Sequence, residues 1–290
     1  MDLTTVGDVM LDVRVDAGAL ARGGDVHGRV VVQPGGTSAN AAVWATWIGA
    51  SARVYGRVGD DLPGRLLERE LVERDVEPAL SIDPNAPTGT MLVVHESGER
   101  SMVADRGANA RLQPQDLPDR IASGALLVSG YLLLQDEGHE AAVAALERAD
   151  ATWIAVEAAS WPMVEAFGVQ RFFADARRAN VVLANEQEAR VLTGRQGESA
   201  VMALGERVRV AAVKLGARGA AVSFDGRLVA APGEPVAEVD PTGAGDAFDG
   251  VLLAEFARGA EPEQALDRAC HAGSLVAAST GAWPERGSRP

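Results

Sequence analysis

The sequence predicts an α/β fold in which a mostly parallel central sheet is flanked by helices on both faces and carries a small β-sheet lid. Two observations predict this arrangement. Short runs rich in Val, Leu and Ile alternate with helical patterns along most of the 290 residues, and such continuous apolar runs are typical of strands buried on both faces. Two other stretches alternate polar and apolar residues, which predicts strands with one exposed face.

Taken in chain order, six apolar runs are predicted as strands of the central sheet. They cover residues 3–6, 53–58, 125–129, 152–156, 181–183 and 210–215. The first amphipathic helix is predicted to begin after Asp61, which can act as its N-cap, with Pro63 in the first turn. Five more helices are predicted at residues 139–149, 186–192, 199–207, 246–258 and 262–279.

The two half-polar stretches cannot lie within a sheet that helices cover on both faces. We therefore expect residues 12–33 and 86–106 to form the separate lid. The second stretch contains a hairpin pattern, with strands at 91–95 and 100–104 joined around Ser97-Gly98. The sequence contains no internal repeat and no low-complexity linker, so one domain over residues 1–290 is predicted.

Composition and charge narrow the classes of function. A formal net charge of −14 argues against nucleic acid and anionic membrane surfaces as partners. Cys270 is the single cysteine, which argues against an internal disulfide or a thiolate zinc site. The N-terminus does not resemble a signal peptide, and no apolar run approaches the roughly 20 residues that span a bilayer. We expect a cytoplasmic enzyme or small-molecule binder.

The most informative segment is Asp-Pro-Thr-Gly-Ala-Gly-Asp at residues 240–246, directly before a helical pattern. Gly243, Ala244 and Gly245 place bare backbone N–H groups at the start of a helix, which is an arrangement that binds anions. The carboxylate of Asp246 can accept a proton from a hydroxyl group. Donors for phosphate beside a base for an alcohol point to phosphoryl transfer.

The same residues are also compatible with an ordinary loop in which Asp246 is only the N-cap of a helix. A dinucleotide-binding loop is a further alternative, but it would follow the first strand, and Phe248 occupies the position of its third glycine. No P-loop pattern occurs in the chain.

A second glycine pair, Gly35 and Gly36, precedes a helix of small residues. Asn40 lies one turn into that helix and offers both a donor and an acceptor, which suits a ligand with several hydroxyl groups. The alternative is a tight turn between a strand and a helix, with Ser38 as the cap.

Together these two glycine segments resemble the two signatures of the ribokinase-like (PfkB) carbohydrate kinase family. Residues 56–64, 88–90, 185–189, 214–220 and 281–282 also match the family in its order, so the resemblance covers essentially the whole chain. It implies a ribokinase-like fold and ATP-dependent phosphotransfer to a hydroxyl of a sugar or sugar-like molecule. A nucleoside kinase of the same family, a non-catalytic nucleotide or sugar binder, and an NAD-linked oxidoreductase remain as alternatives.

The resemblance also implies roles for individual residues around the phosphates. Asp246 would be the general base, and Gly243 to Gly245 would form the anion hole for the transferring phosphoryl group. Asn185 and Glu188 would help to hold Mg²⁺ near ATP. The nucleotide would be bordered by a set that includes the single lysine of the chain: Lys214, Gly216, Gly219, His271 and Ser274.

On the substrate side, the resemblance implies that Asp12 binds hydroxyl groups together with Gly35, Gly36 and Asn40. The lid would cover the substrate and exclude water. Asp240 and Thr242 resemble a monovalent cation site of some members, so K⁺ is a possible cofactor. A homodimer through the lid is a further expectation, since exposed strands of two subunits can pair.

Two departures from the family pattern leave the substrate open. Thr37 stands where ribokinases commonly have a basic residue after the glycine pair, and Glu157 begins a stretch that lacks the Asp-x-Asn-x-Arg pattern of many hexose and ketodeoxygluconate kinases. Arg106 and Asn109 follow the second lid segment; they could face the substrate, but the favoured interpretation is that they are solvated loop residues.

Overall fold

The computed structural model describes residues 1–21, 23–96 and 99–290. Its strands are, in chain order, β1 (Leu3–Val6), β2 (Met10–Ala17), β3 (Arg29–Gly35), β4 (Ala52–Gly59), β5 (Val76–Asp83), β6 (Thr90–Glu96), β7 (Glu99–Asp105), β8 (Ile121–Val128), β9 (Ala149–Glu157), β10 (Val181–Asn185), β11 (Val210–Lys214), β12 (Ala220–Phe224) and β13 (Arg227–Ala231).

The helices are α1 (Thr37–Trp47), α2 (Leu62–Val72), α3 (Gly130–Leu133), α4 (His139–Glu147), α5 (Trp161–Phe167), α6 (Val169–Asp175), α7 (Glu186–Thr193), α8 (Glu198–Gly205), α9 (Ala244–Ala257) and α10 (Pro262–Ala277). Three short 3₁₀ segments lie at Gly107–Arg111, Pro114–Asp116 and Gly216–Arg218.

The central sheet has nine strands in the order β13-β12-β11-β10-β9-β8-β1-β4-β5. Neighbouring strands from β11 through β5 pair in parallel, and β12 pairs antiparallel with both β11 and β13. The predicted fold class is therefore confirmed. All six predicted strands are present, with ends that differ by up to four residues.

Two hydrophobic cores cover the two faces of this sheet. In β8, Leu127 packs into the core that contains α1, α9 and α10, and its neighbour Leu126 packs into the core that contains α4, α7 and α8. Adjacent residues of one strand thus point to opposite cores, which explains why the strands are continuously apolar in sequence.

The lid is a separate four-stranded sheet in the order β3-β2-β6-β7, with antiparallel pairs at both edges and a parallel pair in the middle. Both predicted lid segments contribute to it. The predicted hairpin turn at Ser97-Gly98 lies outside the described residues. Thr88, just before β6, connects the lid segment to the central sheet, because its hydroxyl accepts from the N–H of Gly59 at the end of β4 (3.0 Å). The N–H of Thr88 donates to the carboxylate of Asp61 (2.8 Å), which also caps α2 at the N–H of Gly64 (2.9 Å).

Several elements were not predicted. They are β5, the antiparallel hairpin of β12 and β13, and the short helices α3, α5 and α6. The helix predicted from residue 246 begins two residues earlier, at Ala244, and Gly243 in a left-handed conformation is its N-cap. This shift moves Asp246 into the first turn of the helix.

Candidate active site

The glycine-rich segment before α9 forms a tight turn. Gly243 has a φ of 87°, and a Cβ at this position would lie 2.5 Å from the Cβ of Ala282. Glycine is required here both for its conformation and for the space it leaves. The N–H of Ala244 donates to the carbonyl of Pro241 across the turn (3.1 Å). One of the three predicted anion-hole groups therefore already has an acceptor within the chain.

The carboxylate of Asp246 is held by a chain of two hydrogen bonds. Its Oδ2 accepts from Nδ2 of Asn40 (2.7 Å), and Oδ1 of Asn40 accepts from the indole N–H of Trp283 (2.6 Å). Because Gly243 is the N-cap of α9, the alternative that Asp246 is only a cap is wrong. Trp283 was missed because 243 residues separate it from Asn40 along the chain.

The pKa values of two carboxyl groups in this region are raised to near neutrality. Burial raises the pKa of Asp246 to about 7, although the hydrogen bond from Asn40 and the charge of Lys214 act in the opposite direction. Burial also raises the pKa of Asp12 to about 7, and the negative charge of Asp240 adds to that shift. A carboxyl group with a pKa near neutrality is suited to proton transfer at physiological pH.

A cavity of about 410 Å³ lies between the lid and the end of the central sheet, and we refer to it as the lid cavity. The structure brings Asp12, Gly36, Asn40 and Asp246 together in its wall. Gly35 does not line the cavity, but a Cβ on it would overlap the carboxylate of Asp12. Gly35 therefore provides the space in which the Asp12 side chain lies.

The alternative role of Ser38 as a helix cap is wrong, because Gly36 is the N-cap of α1 and Ser38 is fully buried. The interpretation of Arg106 and Asn109 as solvated residues is also wrong. Nη2 of Arg106 lies 2.7 Å from Oδ1 of Asp8, and both residues line the lid cavity. The amide of Asn109 is buried against the backbone of Val9 at 2.9 and 3.0 Å.

A second cavity of about 490 Å³ lies on the other side of the start of α9, and we refer to it as the α9–α10 cavity. Four of the five residues predicted to border a nucleotide line it: Lys214, Gly216, Gly219 and Ser274. His271 is not in its wall. The ring of His271 instead lies 2.9 Å from a carboxylate oxygen of Glu234 and packs beside Trp47.

The start of α9 separates the two cavities. Gly243 and Asp246 line the lid cavity, whereas Ala244 and Gly245 line the α9–α10 cavity. Beneath this turn, Nζ of Lys214 would lie 3.3 Å from a Cβ on Gly245. A group that reaches from one cavity to the other must therefore pass the backbone N–H groups at the positive end of the helix.

Lys214 forms a buried ion pair with Asp249 on α9 (Nζ to Oδ2, 2.6 Å). Burial alone would lower the pKa of Lys214, but the carboxylates of Asp249, Glu157 and Glu188 raise it above its ordinary value. Burial raises the pKa of Asp249, and the charge of Lys214 opposes that shift. Lys214 therefore remains protonated and is the cation of an otherwise acidic cluster.

Asn185 and Glu188 form a capping box at the start of α7. Oδ1 of Asn185 accepts from the N–H of Glu188 (2.9 Å), and the carboxylate of Glu188 accepts from the N–H and Nδ2 of Asn185 (2.7 and 2.6 Å). Glu188 is buried, and burial raises its pKa. These contacts fix the side chain of Glu188, which was predicted to help to hold Mg²⁺.

The predicted cation-site residues Asp240 and Thr242 contact each other directly. Oδ1 of Asp240 accepts from the N–H and the hydroxyl of Thr242 (3.0 and 2.6 Å). Oδ2 of Asp240 accepts from Nη1 of Arg14 on lid strand β2 (2.8 Å). A guanidinium group thus neutralises the carboxylate at this position.

The model of the pfkB family carbohydrate kinases matches residues 2–285. The chain belongs to this family. It is 32% identical over 256 residues to a 2-dehydro-3-deoxygluconokinase from Thermoproteus tenax, which covers 83% of this chain and 78% of that protein.

Solved structures of pfkB-like proteins agree in fold. The adenosine kinase from Sinorhizobium meliloti superposes with a TM-score of 0.88 at 24% identity and covers 98% of this chain and 96% of its own. A structure described as a ribokinase II from E. coli, in complex with ATP and Mg²⁺, superposes with a TM-score of 0.85 at 23% identity and covers 99% and 96%.

Kinases of the pfkB family use ATP with Mg²⁺, and the acidic cluster near Lys214 fits such an ion. Among the described residues, one buried oxygen of Glu157 and one of Asp249 have no hydrogen-bond partner. Within the described ranges no group of three or more His, Cys, Asp or Glu side chains is arranged to hold a metal alone. The two buried carboxylate oxygens of Glu157 and Asp249 are of the kind that Mg²⁺ takes, since this ion usually binds one or two carboxylates and completes its shell with water and phosphate.

None of the helices in the described part of the chain is long and apolar enough to cross a membrane.

Proposed function

We propose that this pfkB-family kinase transfers the γ-phosphoryl group of ATP to a hydroxyl of a sugar or sugar-like molecule. The observation that carries the proposal is the position of the α9 start between two cavities, with Asp246 facing one and Gly245 the other. The acceptor would lie in the lid cavity and the nucleotide in the α9–α10 cavity. We further propose that residues 1–290 act as one domain with the lid.

In the proposed step, the acceptor hydroxyl loses its proton to Asp246 while its oxygen attacks the γ-phosphorus. The bond between the γ-phosphorus and the β–γ bridging oxygen breaks, and ADP leaves. Backbone N–H groups of Gly243 and Gly245 stabilise the charge on the transferring group, together with the helix dipole. Asn40 holds the carboxylate of Asp246 in position for the hydroxyl.

The nucleotide would lie along Gly216, Gly219 and Ser274, with its phosphates directed toward Lys214. Bound Mg²⁺ neutralises phosphate charge. Asn185 fixes the carboxylate of Glu188, which would help to hold the ion. Closure of the lid over the acceptor would exclude water, which otherwise competes as a phosphoryl acceptor.

The raised pKa of Asp246 predicts a pH dependence. The base must be ionised to act, so we expect kcat/KM to rise with pH and to level off above about 7. Because the folded-state pKa lies above the unfolded value of about 3.9, folding is expected to weaken as the pH rises from about 4 to 7. Steady-state kinetics and thermal melts between pH 5 and 9 test both expectations, and a flat kcat/KM profile across this range would contradict the assignment.

A nucleoside is a second candidate acceptor, and one observation favours it. Four of the six methionines of the chain line the lid cavity: Met10, Met91, Met102 and Met163. Met91 and Met102 lie on the same face of the lid as Asp12, and Met91 is the register partner of Asp12. Carboxylates thus line one part of the cavity wall and thioethers another. Thioethers pack well against aromatic rings.

We expect a panel of free sugars and nucleosides to separate the two candidates. If the thioether wall holds a planar base, a nucleoside has a kcat/KM at least about tenfold above that of its free sugar, the scale of a hydrophobic pocket contact. Met163→Gln should then reduce kcat/KM for the nucleoside more than for the sugar, and Met202→Gln on α8 should change neither. Equal kcat/KM values for the sugar and the nucleoside would contradict the proposal of a nucleoside acceptor.

The outer face of the lid supports the expected homodimer. The register places aliphatic side chains on the face opposite Asp12 and Arg14, among them Val13, Val15, Val30, Val32, Leu92, Val94 and Val103. Val30, Val32 and Val103 are 61%, 53% and 63% exposed. An apolar sheet face of this extent is typical of an association surface, and we propose that a second copy of the chain covers it.

The dimer can be tested by placing a charge on that face. We expect the wild type to sediment as a dimer and Val32→Asp to sediment as a monomer, because a buried carboxylate without a partner opposes association. Val72→Asp, at an equally exposed valine of α2, is the control and should remain dimeric. A monomeric wild type would contradict the proposal.

A further inference from the structure

A buried guanidinium group links the lid to the loop that leads into α9. Arg14 lies on β2 with its side chain 10% exposed, and its Nη1 lies 2.8 Å from Oδ2 of Asp240, which is 4% exposed. Nη2 of Arg14 also lies 3.3 Å from Oδ1 of Asp16. Nε2 of His95, on lid strand β6, lies 3.9 Å from Oδ2 of Asp240.

The Asp240 carboxylate also organises the loop that follows it. Its second oxygen binds the N–H and hydroxyl of Thr242, which directly precedes the N-cap Gly243. The conformation of the anion-hole turn therefore depends on this buried carboxylate. Such a carboxylate needs a cation beside it, because an isolated buried charge is strongly unfavourable.

The family resemblance implied that a monovalent cation at Asp240 and Thr242 would meet this need. We propose that the guanidinium group of Arg14 takes the place of that cation, so that the anion-hole turn is held without K⁺. This inference rests on the proposed phosphotransfer only for its activity readout. A guanidinium group stays protonated at any physiological pH and cannot dissociate from the chain, so the turn is held permanently.

The location of Arg14 adds a consequence that a free ion would not have. Because Arg14 belongs to the lid and Asp240 to the loop before α9, the ion pair connects the wall that covers the acceptor to the groups that stabilise the phosphoryl charge. Arg14 is a positioning residue in this account, since it acts on the reaction through Asp240 and Thr242. Its loss should therefore affect both kcat and the KM for the acceptor.

The test compares KCl, NaCl and tetramethylammonium chloride at equal ionic strength, with phosphoryl transfer and melting temperature as two readouts. For the wild type we expect kcat to agree within about twofold in the three salts, and the melting temperature to show no shift specific to K⁺. Arg14→Ala should lose roughly 10–100-fold in kcat in tetramethylammonium, the scale of a misplaced reacting group. KCl should restore part of that rate and raise the melting temperature of the variant.

Arg14→Lys keeps a positive charge at the site and should remain largely independent of K⁺. Arg29→Ala removes an exposed arginine of the neighbouring lid strand and should behave as the wild type. A wild-type rate that rises tenfold or more with K⁺ overturns the proposal, as does a folded Arg14→Ala protein that K⁺ does not rescue. If no acceptor is phosphorylated in any salt, the proposed function fails, and a K⁺-specific melting shift of the wild type still decides this inference.

Discussion

Replacing Asp246 by Asn is expected to lower kcat by about 10²–10⁴, the usual contribution of a general base. The substitution keeps the shape of the side chain and a hydrogen bond to Asn40 remains possible, so the two cavities should be unchanged. What is lost is the ability to accept the proton of the attacking hydroxyl. Coupled detection of ADP formation at saturating ATP measures the effect.

Asp267→Asn is a matched control, because Asp267 lies exposed on the neighbouring helix α10. It should retain the wild-type rate. Melting curves should show that both variants are folded. An Asp246→Asn enzyme that keeps more than about a tenth of the wild-type kcat would show that another group takes the proton.

The largest expected effect on stability comes from Lys214→Met. Removing this lysine leaves the carboxylate of Asp249 buried without its cation, with Glu157 and Glu188 nearby. Breaking a buried ion pair from one side typically costs about 3–5 kcal/mol. Denaturant unfolding at pH 7.5 should show a decrease of this size in the free energy of unfolding.

A double substitution separates the charge from the packing. In Lys214→Met with Asp249→Asn, the uncompensated carboxylate is gone, and we expect a large part of the lost stability to return. Arg227→Met, which removes one side of an exposed ion pair with Glu263, should change stability by less than about 1 kcal/mol. If Lys214→Met costs no more than this control, the buried pair does not have the role assigned here.

The parts of the fold that follow local periodicity could be predicted from the sequence. Continuous apolar runs identified the parallel strands, because both faces of each strand are buried. The helix cap formed by the carboxylate of Asp61 was also predictable from the sequence, since Asp61 and its donor Gly64 are three positions apart. The hairpin of β12 and β13 was overlooked although Asp225-Gly226, with φ values of 48° and 80°, is a typical two-residue turn.

The site was predictable only where one segment contains the chemistry. The glycine turn before Asp246 is formed by residues that are neighbours in the sequence. It lies between the two cavities, at the place where the sequence predicted an anion site. Trp283, Arg14 and Arg106 could not be found in this way. Each acts through a partner about 100 residues or more away along the chain, and nothing in their immediate sequence distinguishes them from surface residues.

The grouping of four methionines around the lid cavity could not be predicted from the sequence either. Met10, Met91, Met102 and Met163 are scattered over four elements of the chain, and each alone is typical of a core position. Only the folded lid places them around one cavity. The proposed selection of a nucleoside therefore depends on tertiary structure, whereas the proposed chemistry depends on one short segment.

The central claim is that the acceptor hydroxyl lies between Asp246 and the γ-phosphate. The most direct test is a crystal structure with a phosphorylatable acceptor and a non-hydrolysable ATP analogue. We expect an acceptor oxygen within about 2.6–3.2 Å of the Asp246 carboxylate, in line with the γ-phosphorus in front of the Gly243–Gly245 turn. An acceptor whose nearest hydroxyl faces another carboxylate, such as Glu157, with Asp246 out of hydrogen-bond reach, would contradict it.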